Sequence, residues 1–136
     1  MIPARPAGQS LSRASEGENM AIEHVLAAVP VSDLDSSRRW YESLFGRAPD
    51  NNPMSTLVEW QVVPGGWVQV FANAQCAGSS FVNFAVQDLD THIDELKQRG
   101  LEPGAITDAN KGVRLSALAD PDGNTVTLIG GFRVRY

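Results

Sequence analysis

The sequence is short of the residues that most often carry chemistry. It has one cysteine, Cys76, and two histidines, His24 and His92, in 136 residues. A single cysteine forms no intrachain disulfide, and a reduced, cytoplasmic setting is the expectation. As a nucleophile Cys76 lacks a nearby base. Positive charge is also scarce, with 11 Lys and Arg against 16 Asp and Glu and a net charge of −5. A protein that neutralises phosphates needs a basic face, so no nucleic-acid partner is expected. No run of 18 apolar residues exists, so no membrane-spanning helix is expected either. Aromatic residues make up 7% of the chain. What remains is 43% hydrophobic, ample for the core of one compact domain.

The chain repeats itself. Val31-Ser32-Asp33-Leu34-Asp35 precedes a helical stretch ending at Gly46. Fifty-five residues later Val86-Gln87-Asp88-Leu89-Asp90 precedes another, ending at Gly100. Asp33 or Asp35 suits the N-cap of the first helix. In it Leu34, Tyr41 and Leu44 share a face at amphipathic spacing, and Gly46 suits a left-handed cap. Leu89, Ile93 and Leu96 do the same in the second. Each helix follows an apolar strand, at about Ile22–Val31 and Phe81–Val86, and precedes a hairpin. The first hairpin joins Leu57–Val63 to Trp67–Phe71 through Pro64-Gly65-Gly66. The second joins Val113–Ala119 to Thr125–Ile129 through Asp120-Pro121-Asp122-Gly123-Asn124, which is strong turn chemistry. Pro49 and Pro53 interrupt regular structure, and residues 102–111 read as a loop or short edge strand. The pattern predicts an α+β fold of two tandem βαβββ modules, about 21–76 and 77–131. Residues 1–19 are polar and aperiodic and are expected to be a flexible leader, with Met20 as a natural start and one domain over 20–136.

With these elements in order, the chain resembles the vicinal oxygen chelate superfamily of glyoxalase I, extradiol dioxygenases and bleomycin-resistance proteins. Three segments carry the resemblance: Val31–Asp35 with Trp40-Tyr41-Glu42 and Leu44-Phe45-Gly46, its echo at Asp88, and the Asp120–Asn124 turn. It covers about Ala21 to Gly130. It implies paired modules whose mixed sheet curls around one cavity, and homodimers are common among such proteins. It also implies where a divalent metal would sit, on histidines and carboxylates from the first and last strand of each module.

Those positions are filled by other residues. The first-strand ligand lies seven residues before the helix-start aspartate, which gives Leu26 and Phe81. The last-strand ligand of module two follows the Asp120–Asn124 turn by three residues, at Thr127. Its counterpart in module one is Gln69. Leu, Gln, Phe and Thr make no catalytic metal set, so no cofactor is expected. His24 points to the same side as Leu26 but has no companions. His92 reads as a packing residue.

A metal-free cavity still has substance. Alternation puts Trp67, Gln69 and Phe71 on one face, as it does Phe81, Asn83 and Ala85, and Thr125, Thr127 and Ile129. By the resemblance these faces line the cavity. The expected ligand-binding residues are Leu26, Trp60, Trp67, Gln69, Phe81, Asn83 and Thr127. Trp60 depends on register, because a shift of one exchanges it with Glu59 and Gln61. Trp67 and Phe81 fit pocket or core equally, whereas Trp40 and Phe84 read as core. The leading expectation is a protein that binds or sequesters a small, partly aromatic molecule. The alternative is a metal-dependent lyase or isomerase or a dioxygenase of the same superfamily, or a metal-free isomerase using Glu59 or His24 as base. A third reading is an interaction module whose Phe132–Tyr136 end extends an edge strand.

Overall fold

The computed structural model describes residues 21–135. The leader expected over residues 1–19, Met20 and Tyr136 lie outside the described residues. Two βαβββ modules follow in order. Module one is β1 (Val25–Val31), α1 (Leu34–Phe45), β2 (Asn51–Met54), β3 (Leu57–Val63) and β4 (Gly66–Ala72). Module two is β5 (Phe81–Val86), α2 (Leu89–Gln98), β6 (Thr107–Asp108), β7 (Arg114–Ala119) and β8 (Thr125–Gly130). Each module forms its own four-stranded sheet, ordered β1-β4-β3-β2 and β5-β8-β7-β6. The first strand of each runs parallel to the last, and the other pairs are antiparallel.

Three details differ from the sequence expectations. The single sheet curled around one cavity is instead two separate sheets among the described residues, with no strand pairing between them. The first strand starts at Val25, not Ile22. The segment around Pro53, read as irregular, is strand β2, pairing Asn51 with Glu59 and Met54 with Leu57. β2 is an edge strand, where proline is tolerated because no ladder bond need be lost. Pro30 obeys the same rule. Val25 N donates to Gly65 O and Asn73 N to Val31 O. The odd residues of β1 therefore face β4, and Pro30 turns its missing N–H to the free edge. Residues 131–135 add no strand.

The helices are placed by their ends. Asp33 is the N-cap of α1, its Oδ1 accepting from the amides of Asp35 and Ser36. Asp88 caps α2 through Thr91 N. Gly46 takes the left-handed conformation, φ +76°, and its N–H closes on Glu42 O. Arg99 of module two then caps the end of α1, its Nη1 donating to Ser43 O at 2.9 Å and Leu44 O at 3.1 Å.

One core serves both modules. The sheet faces turned to the helices bury Val29, Val31, Val58, Trp60, Val68, Val70, Val126 and Leu128 against Tyr41, Leu44, Ile93 and Leu96. Phe45 of α1 meets Phe84 of β5 edge-on at 5.7 Å, which ties the halves together. A buried polar knot does the rest. Tyr41 Oη donates to Asp120 Oδ2 at 2.8 Å. The same carboxylate accepts from Asp122 N, Asn124 N and Asn124 Nδ2, each at 2.9 Å. Asn124 also donates to Pro30 O, and its Oδ1 accepts from Gly78 N and Ser80 N. Every hydrogen-bonding position of that amide is used. Asp122 completes the junction by accepting from Ser32 N and Ser32 Oγ.

Candidate functional site

Among the described residues, each sheet has a second face that no helix covers. On module one it carries Leu26 beside its cross-strand partner Trp67, and Gln69 between Ala28 and Glu59. Gln69 Nε2 donates to Glu59 Oε1 at 2.9 Å, and Asn51 Nδ2 donates to Glu59 Oε2 at 3.0 Å. The Trp67 indole N–H donates to His24 Nδ1 at 2.9 Å, so His24 serves as a rest for the indole. On module two Phe81 faces Thr125, and Asn83 faces Thr127. Phe81 is 77% exposed and Leu26 47%, against ordinary burial for such side chains. Six of the seven expected binding residues therefore stand on open sheet faces, in two groups, one per module.

Trp60 is the exception. It pairs with Val68, is fully buried, and donates its indole N–H to Arg47 O at 3.0 Å. It belongs to the core, packed against Phe45 at 5.2 Å. A register shift between Gln61 and Val63 absorbs one residue ahead of the tight Pro64-Gly65 turn. Glu59 and Gln61 consequently take the open face. This is the exchange that a one-residue slip produces.

A cavity of about 530 Å³ lies elsewhere, on the helix side where the modules meet. Ala27, Val62 and Val68 line it from module one, and Val82, Phe84 and Leu128 from module two. His92 of α2 and Arg99 at its C-cap reach it, as do Trp67 and Asn83. Burial holds the His92 imidazole below its ordinary value; nearby Glu95 opposes this and Arg99 reinforces it. His92 thus faces a cavity, a role its helical spacing gave no sign of.

The match of the glyoxalase family, "Glyoxalase/Bleomycin resistance protein/Dioxygenase superfamily", runs over residues 21–128. The chain belongs to this superfamily. Among solved structures it is similar to a glyoxalase/bleomycin resistance protein from Catenulispora acidiphila DSM 44928, at 29% identity and a TM-score of 0.74, covering 79% of this chain and 96% of that one. It also shares the fold of TnmS3, an antibiotic binding protein from Streptomyces sp. CB03234 (23% identity, TM-score 0.61, 82% and 98% covered). A third likeness is to a lactoylglutathione lyase from Agrobacterium tumefaciens (20% identity, TM-score 0.62, 78% and 91% covered). A sequence comparison with curated proteins gives no match.

The residues at the positions that the resemblance assigns to a metal do not fit a catalytic divalent ion. Leu26 and Phe81 offer no donor atom, and Gln69 and Thr127 offer only neutral oxygens. The Gln69 amide nitrogen donates to Glu59, so what Gln69 could turn to an ion is a neutral carbonyl oxygen. Among the described residues no group of three or more His, Cys, Asp and Glu side chains is gathered. No helix there is long and apolar enough to cross a membrane.

Proposed function

We propose that this superfamily member binds a small, partly aromatic molecule on its open sheet faces, without a metal. The observation that carries the reading is the uncovered apolar surface at the superfamily's ligand positions, with Phe81 77% and Leu26 47% exposed. Large apolar side chains left exposed on a sheet face mark an interaction site. Gln69 on the first face, and Asn83 and Thr127 on the second, supply the few amides and a hydroxyl that orient a ligand. The likeness to an antibiotic binding protein supports this class of ligand.

A homodimer completes the proposal. A second copy laid over these faces would bury Phe81, Leu26 and Met54, the last 60% exposed. The setting we propose is cytoplasmic, with neither nucleic acid nor membrane as partner. The test is thermal-shift and ligand-observed binding across a panel of metabolites and antibiotics. A hit should weaken at least tenfold in Trp67→Ala and in Phe81→Ala, the loss expected from removing an aromatic anchor of about 2 kcal/mol. Binding that survives both changes refutes the site. An enzymatic reading, as a lyase, isomerase or dioxygenase, rests on relatives such as the lactoylglutathione lyase. Stoichiometric metal in protein purified with Zn, Ni, Mn or Fe would favour it over ours.

A further inference from the structure

The cavity at the module seam has a feature that apolar packing does not require. Among the described residues, strand β5 is the outer strand of its sheet and pairs with β8 alone. In a parallel pair, alternate residues point their N–H and C=O to the neighbour and the others point away. Thr125 N donates to Ser80 O, which fixes the phase. Ser80, Val82, Phe84 and Val86 face β8. Asn83 and Ala85 turn both main-chain groups to the free edge, and both residues line the cavity. Their side chains lie on the open face, so it is the backbone edge that the cavity meets. This is an unpaired strand edge beside an apolar chamber of about 530 Å³, a size that suits a small molecule.

Charge sets the ligand class. Arg99 is the cation of the lining, and it is spent on Ser43 O, Leu44 O and a 3.8 Å contact to Glu95. Burial, with Arg99 beside it, moves the His92 imidazole below its ordinary value and so disfavours its charged form. The Trp67 N–H is given to His24. Among the described lining residues these side-chain donors are already engaged, which favours an uncharged ligand over an ionic one that must shed its hydration.

We propose that this seam is a second binding site, separate from the open faces, for an uncharged flat molecule with an apolar ring and an adjacent N–H and C=O, such as a lactam. Its donor and acceptor pair with Asn83 or Ala85 as a neighbouring strand would, and its ring packs between Ala27, Val62 and Phe84.

Titration of the ¹⁵N-labelled full-length chain with 2-quinolinone, followed by amide shifts, tests this. The expected result is saturable shifts centred on the Asn83 and Ala85 amides. N-methyl-2-quinolinone, which lacks the N–H, should bind about fivefold more weakly, the equivalent of one hydrogen bond. The anion 2-naphthoate should bind more weakly still. Ala27→Phe, or the smaller Ala27→Leu if the first does not fold, should weaken quinolinone at least tenfold, while Phe81→Ala on the open face should leave it unchanged. Absence of saturable shifts overturns the proposal. So do shifts centred on Gln69 and Phe81, or naphthoate binding as tightly as quinolinone. Shifts centred on Gln69 and Phe81 would instead favour the open-face reading, whereas loss of the seam response alone leaves that reading standing, so the two proposals fail separately.

Discussion

Replacing Tyr41 with phenylalanine tests how the two modules are held together. The phenol ring is 1% exposed and Asp120 5%, so water does not replace the lost hydroxyl. The ring itself stays, and the packing against Trp60 and Phe45 is retained. What goes is one 2.8 Å bond to a buried carboxylate oxygen, which keeps only Asn124 Nδ2 as donor. A hydrogen bond to a charged acceptor contributes about 1.5–3 kcal/mol, so Tyr41→Phe should destabilise the fold by that amount. For a chain of this size the melting temperature should fall by about 5–10 °C. Urea unfolding read by tryptophan fluorescence and calorimetry give both quantities. A double-mutant cycle with Asp120→Ala isolates the pair, because Tyr41→Phe should be nearly silent once the acceptor is gone. The wild type also carries an alkaline signature. Burial, and then the Asp120 charge, push the Tyr41 phenol far above its ordinary 10.0. The unfolded chain ionises first, so this stabilisation is complete below about pH 10 and is lost as pH rises above it. Tyr41→Phe should flatten that alkaline limb. A variant within 0.5 kcal/mol of wild type, or one that keeps the limb, refutes the reasoning.

Two further outcomes follow from single residues. The folded state holds His92 below its ordinary 6.5, so it opposes protonation that the unfolded chain accepts. Stability is therefore full above about pH 6.5 and declines as pH falls below it. His92→Gln should remove that acidic loss in melting curves taken from pH 7 to 5, and an unchanged decline would contradict this account. Gly46 holds φ +76°, and a Cβ there would lie 2.9 Å from Arg99 Cζ. Gly46→Ala should cost about 1–2 kcal/mol from backbone strain alone, measured by chemical unfolding, and more if Arg99 is forced off the end of α1. Equal stability would contradict the strain account itself.

The doubling of the fold was legible because aspartate and glycine punctuate both helices. Asp33, Asp88 and Gly46 do as capping residues what their positions imply. Strand β2 was hidden because Asn51–Met54 is exposed on both faces and contains Pro53, so it shows no hydrophobic alternation. Trp60 was misplaced for a different reason. Alternation fixes which residues share a face, but not which face a strand turns inward when a bulge intervenes, and the shift near Val62 reversed the assignment. The Asp120–Asn124 segment was readable as a turn, while its bonds to Tyr41, Pro30 and Ser32 join residues some eighty to ninety positions apart, which no local pattern encodes. The seam cavity was out of reach for the same reason. It exists only where α2, β1 and β5 come together.

That knot also makes the duplication directional. Leu96 sits in α2 where Tyr41 sits in α1, seven places after each helix-start leucine. The Pro64-Gly65 corner of module one holds no carboxylate to match Asp120. A chain assembled from two copies of the first half would bury a phenol with nothing to receive its proton. Two copies of the second half would bury a carboxylate short of a donor. The halves share an ancestry of form, but each has become the other's missing part, and neither stands in for its twin.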